Sequence, residues 1–159
     1  MAIDSVKTTG EPFEYEVLAK AGHLHDAVVS YVGAQDWVSF AELKRVFEPY
    51  MPTRGDYVLE YPDTNILIHV GMSQELVELV LELVRSKAVY YHPAEVLTYL
   101  VDGELPNLPI ARDPKKAVAG HGYKKPHWLP LCLRVVPLLQ EKPKRRKPQQ
   151  MAGRKEKRV

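Results

Sequence analysis

The spacing of apolar residues changes twice between residues 39 and 86, and this change limits the possible folds more than any other feature of the sequence. Residues 40–50 carry apolar side chains at helical spacing, residues 57–70 read as two strands around the turn PDTN, and residues 73–86 return to helical spacing. A helical period of 3.6 residues and a strand period of 2 belong to different elements. The segment therefore predicts a helix, a β-hairpin and a second helix, and the chain is expected to be α+β.

Two serines predict where these helices begin. Ser39, with Glu42 three residues later, forms a capping box, in which the serine hydroxyl accepts a backbone N–H of the first turn. Ser73 is a predicted N-cap, and Glu75 follows it in the first turn, where the helix dipole favours a negative charge. The second helix is apolar around most of its circumference, so we expect it to be the central helix of the fold.

The N-terminal part is predicted as an irregular arm followed by a helix. Residues 1–22 have no clear periodicity and are predicted as the arm. Apolar side chains then recur at helical spacing over residues 23–33, and Trp37 with Val38 is predicted as a very short strand.

The segment after residue 86 is predicted to be mostly extended. Residues 88–91 and 96–101 are predicted as strands, and the Asp-Gly pair at 102–103 as a turn. Residues 105–111 contain too much proline for an inner strand. Residues 112–127 are predicted as a basic loop, and residues 131–136, between Pro130 and Pro137, as an edge strand.

Charge is distributed unevenly along the chain. The 159 residues contain 22 Lys and Arg against 20 Asp and Glu, but nine of the cations and only one acid lie in residues 142–159. This predicted tail has no apolar run to bury, so it is expected to be disordered when free. A basic arm on an acidic body most often meets a polyanion. The alternative is that it serves only solubility.

A second basic patch runs from Arg112 to Arg134, with His121, Tyr123 and His127 interleaved. Cations neutralise phosphates, and aromatic faces stack on unpaired bases. The alternative is a solvated loop whose aromatic rings pack on the core. The candidate nucleic-acid-binding residues are Lys115, Lys116, Lys124, Lys125 and Trp128 in the patch, and Lys142, Lys144, Arg145, Arg146 and Lys147 in the tail.

The order of elements over residues 23–103 resembles that of winged helix-turn-helix domains. The resemblance is carried by SFAELKRVFEPY, by SQELVELVLELVRS and by AVYYHPAEVLTYLVDG as the wing. It implies that the third helix enters the major groove and that the wing touches the DNA backbone or minor groove. This chain adds the hairpin at 57–70, and its third helix exposes Glu75, Glu78 and Glu82. Carboxylates do not suit a phosphate-lined groove, so this helix is expected to face protein instead.

The sequence contains no recognisable catalytic or metal-binding pattern. There is no P-loop, nucleophile elbow or G-x-G-x-x-G pattern. Cys132 lies in an apolar strand, where a thiol is expected to be an inert filler, and a single cysteine fits a reducing compartment. His121, His127 and Cys132 do not have the spacing of a zinc site. No enzyme activity, metal or cofactor is therefore expected.

These observations predict a winged-helix-like three-helix core over residues 23–141, with an extra hairpin, a C-terminal wing or edge strand, and a disordered basic tail over 142–159. The expected function is non-enzymatic nucleic-acid binding, to DNA more than RNA, as a small regulatory or accessory factor. One alternative is a protein-interaction module that docks through Glu75, Glu78 and Glu82 or through the hairpin face, and another is an RNA-associated factor. No signal peptide or membrane span is recognised, so we expect a cytoplasmic protein, or a nuclear one in a eukaryote.

Overall fold

A computed structural model describes residues 12–117 and 120–138 of the chain, and these form a mixture of helices and short strands. The predicted α+β class is confirmed. In chain order the elements are α1 (Glu14–Lys20), α2 (Leu24–Gln35), β1 (Val38–Ser39), α3 (Phe40–Phe47), β2 (Arg54–Tyr61), β3 (Ile66–Met72), α4 (Gln74–Arg85), β4 (Tyr90–Pro93), α5 (Val96–Asp102), a 3-10 turn (Pro114–Ala117), β5 (His127–Trp128) and β6 (Leu131–Arg134).

The first sheet has the strand order β1-β6-β4, and both pairings are antiparallel. Leu133 of β6 lies opposite Val38 on one side and Tyr91 on the other. The prediction of an edge strand at 131–136 is therefore wrong, because β6 is central. Pro130 and Pro137 lie just outside the paired residues, so the missing proline N–H groups do not interrupt the ladder.

The second sheet has the order β2-β3-β5 and contains the predicted hairpin, which is confirmed. Its turn uses left-handed backbone at Asp63 (φ 60°) and Asn65 (φ 55°), a conformation that Asp and Asn tolerate better than other side chains. The Thr64 hydroxyl donates to the Tyr61 carbonyl (2.8 Å) and accepts from the Ile66 N–H (3.1 Å). The turn is thus closed by its own residues.

Both predicted helix starts are confirmed. The Ser39 hydroxyl accepts the Glu42 N–H at 3.0 Å, and the Ser73 hydroxyl accepts the Leu76 N–H at 3.1 Å. Ser73 also donates to the Pro52 carbonyl at 2.6 Å, which ties the start of α4 to the segment after α3. The central position predicted for α4 agrees with the side chains it buries, which are Leu76, Leu79, Val80 and Leu83.

The strand predicted at 96–101 is wrong, because this segment is α5. Its aliphatic residues have high strand propensity, but Tyr99 is the buried residue of the helix, and its hydroxyl donates to the Leu131 carbonyl at 2.5 Å. Gly103 (φ 77°) ends α5 in the left-handed conformation common at helix C-termini. The Asp-Gly pair thus closes a helix, and AVYYHPAEVLTYLVDG does not form the hairpin expected for a wing.

The irregular arm predicted over residues 1–22 also needs correction, because residues 14–20 form α1. Glu14 in its first turn and Lys20 in its last suit the helix dipole. The Tyr15 ring lies 4.9 Å from that of Tyr31 and 5.9 Å from that of Phe47, measured between centroids. These contacts join α1 to α2 and α3. Residues 1–11 lie outside the described part.

The helices in the described part of the chain are all too short or too polar to cross a membrane.

Candidate nucleic-acid interface

The basic loop at 112–127 is attached to the turn of the β2–β3 hairpin. The Tyr123 N–H donates to the Thr64 carbonyl, the Asn65 side-chain amide donates to the Tyr123 carbonyl, and the His127 N–H donates to the Asn65 carbonyl, each at 2.8 Å. At Gly122 a Cβ would lie 2.1 Å from the Thr64 carbonyl oxygen, so no other residue fits without a shift. The hairpin turn therefore fixes residues 122–127 of the loop.

An aromatic stack in residues 123–127 of the loop contacts residues 113–116 of the same loop. The rings of Tyr123 and His127 are 3.7 Å apart and inclined by 16°. The Tyr123 hydroxyl accepts the Asp113 N–H at 3.2 Å, and the Lys116 ammonium lies 5.2 Å from the Tyr123 ring centroid. A cation over an aromatic face is attracted by the ring quadrupole. The stack thus holds residues 113–116 beside residues 123–127.

The lysines of this loop are open to phosphate. Lys115, Lys124 and Lys125 are exposed and Lys116 is half-buried. No carboxylate of the described residues lies within 4.0 Å of their ammonium groups. Asp113 is the sole acid of the segment 112–127, and its carboxylate accepts the Lys115 backbone N–H at 3.0 Å. Counting only carboxylates of residues 12–117 and 120–138, the cationic loop therefore carries positive charge that no ion pair offsets.

Trp128, predicted as a stacking residue, is instead part of the core. Its side chain is 2% exposed, and its indole N–H donates to the Ile68 carbonyl at 3.1 Å. The ring packs edge-to-face on Tyr99 at 5.1 Å. Strand β5 turns this residue inward, where a large apolar ring is buried and its N–H is satisfied. No face is left for a base, so the stacking role of Trp128 is corrected to packing.

Arg134, the C-terminal residue of the predicted patch, lies apart from this loop. The tail candidates Lys142, Lys144, Arg145, Arg146 and Lys147 lie outside the described residues. Arg134, near the loop in sequence, instead binds the Asp36 carboxylate with two nitrogens, at 2.8 and 2.9 Å. The adjacent Val136 carbonyl accepts from His92 Nε2 at 2.6 Å. The described chain therefore ends beside the β1-β6-β4 sheet rather than beside the loop.

An exposed aromatic residue that the sequence analysis did not single out, Trp37, lies beside the β1-β6-β4 sheet. Asp36 (φ 57°, ψ 155°) and Trp37 (φ 49°) are consecutive residues on left-handed backbone, a conformation that costs about 1–3 kcal/mol for each non-glycine residue. Trp37 is 50% exposed, with the Arg134 guanidinium carbon 4.1 Å from its ring centroid and the His92 ring at 5.5 Å. Apolar periodicity carries no signal for such a site, because Arg134 comes from a distant strand.

A buried ionic cluster was also missed. Lys44 of α3 is 1% exposed, and its ammonium pairs with the Glu104 carboxylate. The ammonium also donates to the Val70 carbonyl at 3.3 Å and lies 3.4 Å from His69 Nε2. Arg54 approaches the other Glu104 oxygen at 3.6 Å. Within an amphipathic helix pattern Lys44 reads as a surface residue, which is why the sequence did not reveal the cluster.

The pKa values of two residues in the cluster, Glu104 and His69, are both lowered. Partial burial acts to raise the pKa of Glu104, but hydrogen bonds from His69 and Lys44 outweigh it and lower that pKa to about 2. Burial lowers the pKa of His69, and the Lys44 charge adds to this effect. Nδ1 of His69 is buried without a hydrogen-bond partner among the described residues. The arrangement is therefore a neutral histidine beside a salt bridge.

The acidic stripe of α4 is exposed as predicted. Glu75, Glu78 and Glu82 all lie on the surface. Glu78 accepts from the Gln74 side chain at 3.0 Å, and Glu82 lies 2.5 Å from His25 Nε2 on α2. Only Glu75 of the three lacks a side-chain partner among the described residues. Two of the three carboxylates of the stripe therefore already contact side chains of α4 or α2.

Metal-binding and thiol chemistry have no geometric support in the described residues. Residues 12–117 and 120–138 contain no group of three or more His, Cys, Asp or Glu side chains that could hold a metal. Cys132 is buried, and burial together with nearby Asp102 and Glu42 raises the pKa of its thiol to about 12. At neutral pH this thiol is protonated and unreactive.

Comparison with known proteins gives no match: no protein-family profile fits the chain, and no curated protein or solved structure is significantly similar to it.

Proposed function

We propose that this protein binds nucleic acid through its basic loop, as a non-enzymatic factor. The observation that carries the proposal is the group of four loop lysines without carboxylate partners among the described residues, held on a loop that the hairpin turn fixes. A preformed cationic surface neutralises phosphates and releases their condensed counterions. DNA is proposed ahead of RNA because of the arrangement of helices and strands described next.

The winged-helix resemblance remains part of this proposal, with a different segment as the wing. Helices α2, α3 and α4 precede two neighbouring antiparallel strands, β4 and β6. These strands would be the two sides of the wing, and residues 94–130 would be its enlarged connection. The basic loop belongs to that connection in sequence but is attached to the β2–β3 hairpin, and in this proposal it touches the DNA backbone beside the wing. The acidic stripe of α4 would then face away from DNA.

The test is salt-dependent binding of the full chain to duplex DNA, single-stranded DNA and RNA. We expect Lys124→Gln/Lys125→Gln to weaken duplex binding and to flatten the log–log salt dependence by up to about 1.8, since each duplex phosphate contact contributes about 0.9. The matched control is Lys20→Gln/Lys87→Gln, which removes two exposed lysines from other elements. Fluorescence anisotropy of a labelled duplex measures both quantities.

Two results would count against the loop. Equal affinities and slopes for the two variants would remove Lys124 and Lys125 from the binding surface. A full chain that binds none of the three nucleic acids at low salt would remove the function altogether, and the alternative below would take its place.

The alternative function is a protein-interaction module. Helix α5 leaves four aliphatic side chains exposed, from 37% for Val96 to 78% for Val101, with Leu97 and Leu100 between them. Exposed apolar patches of this kind mark interaction surfaces. The exposed carboxylates of α4 offer a second, polar face. In this alternative the basic residues add only nonspecific attraction.

A further inference from the structure

We infer that Trp37 is a stacking platform for an unpaired nucleobase. This inference rests on the proposed nucleic-acid binding and adds a single-strand site to it. The site is separate from the basic loop, because Trp37 lies beside the β1-β6-β4 sheet whereas the loop is attached to the β2–β3 hairpin.

Two polar side chains contact the indole ring. The Arg134 guanidinium lies over the ring, with its carbon 4.1 Å from the centroid, and the His92 ring lies at 77° to it. Arg134 is itself held by both oxygens of Asp36. Half of the tryptophan surface remains open to solvent. An open aromatic surface beside a cation is the arrangement on which bases stack without sequence preference.

The backbone keeps this ring exposed. Asp36 and Trp37 both have positive φ, and the Trp37 N–H donates to the Asp36 carboxylate at 3.0 Å. The Asp36–Arg134 pair joins this turn to β6, so the ring direction is set before any ligand arrives. Backbone strain of this kind concentrates at ligand sites, and a ring fixed in advance loses little conformational freedom on binding.

The position of the ring in the chain also favours a nucleic acid over a protein partner. His92, in contact with Trp37, donates to the Val136 carbonyl, so residues 135–138 leave the sheet beside the ring. The cations of residues 142–147 follow closely in sequence. The ring itself contacts an arginine and a histidine, and an arginine on an aromatic face suits the stacking of a base.

The experiment compares single-stranded and duplex probes on the full chain. Oligothymidylate and oligouridylate are titrated against the wild type, Trp37→Ala, Trp37→Phe and the control Tyr57→Ala, which removes another aromatic ring that is 50% exposed. Binding is followed by anisotropy and by quenching of tryptophan emission. The remaining tryptophan, Trp128, is 2% exposed and serves as an internal reference in the Trp37 variants.

We expect both the quenching and the single-strand affinity to depend on Trp37. Trp37→Ala lowers single-strand affinity about tenfold, or about 1.4 kcal/mol, whereas Trp37→Phe and Tyr57→Ala change it much less. Duplex affinity stays within about twofold of the wild type. The oligonucleotide that shows the loss, DNA or RNA, identifies the strand that the ring takes.

Two outcomes overturn the inference while the proposed function stands. One is an unchanged single-strand affinity of Trp37→Ala, and the other is an equal loss for duplex and single strand. If the wild type binds none of the probes at low salt, the inference and the proposed function both fail.

Discussion

At the scale of single residues, the largest departure from sequence expectation is Lys44. A lysine is almost never fully buried unless it is paired, and this one is paired with Glu104 across the fold. Gly71 (φ 67°) lies beside it: a Cβ there would make an ordinary 3.4 Å contact with the ammonium nitrogen, so it is the positive φ that favours glycine. The sequence positions of Lys44, Gly71 and Glu104 are too far apart for any local pattern to connect them.

Lys44→Met is expected to lower the free energy of unfolding by about 1–3 kcal/mol, since the partly exposed Glu104 carboxylate loses the hydrogen bond from the buried ammonium and keeps the 3.6 Å contact with Arg54. Lys44→Met/Glu104→Leu is expected to recover a large part of the loss. Urea denaturation measures both. The control Lys20→Met, at an exposed site, should change stability by less than about 0.5 kcal/mol. A loss for Lys44→Met no larger than this would show that the pair is not stabilising.

The same cluster predicts sensitivity to acid. His69 has a folded pKa below its ordinary value of 6.5, and Glu104 has one of about 2 against 4.5. The contribution of each group to the free energy of unfolding is therefore complete above its unfolded pKa and is lost as pH falls. The contribution of His69 is lost first, below pH 6.5, and that of Glu104 is lost between pH 4.5 and about 2. The stability difference between wild type and Glu104→Gln should shrink over that lower range. Urea denaturation at several pH values measures it, and a constant difference would contradict the prediction.

At the scale of elements, the sequence predicted the helices and the hairpin that are formed by interactions between residues close in the chain. The capped helices α3 and α4 and the β2–β3 hairpin were recognisable because each begins or turns on residues within a few positions of one another. Helix α5 was mistaken for a strand because its aliphatic residues favour strands, while the buried contact of Tyr99 with Leu131 is not visible in the sequence. The basic loop was predicted, but not its attachment to the hairpin turn.

The attachment of the loop predicts a specific role for Gly122. Gly122→Ala would force its Cβ against the Thr64 carbonyl oxygen, at 2.1 Å without a shift. We expect a loss of about 1–3 kcal/mol in stability and faster hydrogen exchange at the Tyr123 amide. Gly33→Ala in α2 is the control, because its Cβ would make an ordinary contact with Val135 at 3.8 Å. Thermal denaturation and exchange mass spectrometry test this, and equal behaviour of the two variants would contradict it.

At the scale of the whole molecule, opposite charges are concentrated in different parts. The acidic stripe lies along α4, whereas the described cations without acid partners concentrate in the loop attached to the hairpin. The sequence predicted the basic loop and the acidic stripe of α4, whereas the predicted contrast between a basic tail and an acidic body falls on residues outside the described part. For Trp128 the sequence left stacking and core packing open, and it contained no sign that Trp37 would be exposed. These outcomes depend on contacts with residues distant in sequence, Ile68 and Arg134.

The central place of β6 has a consequence for how the chain matures. This strand is contributed by residues 131–134, yet it supplies the hydrogen-bond partners of both β1 and β4. During synthesis the two outer strands therefore keep unpaired edges until residues 131–134 have left the ribosome. Exposed edges of this kind pair readily with other chains, so a product interrupted before residue 131 would be prone to aggregate.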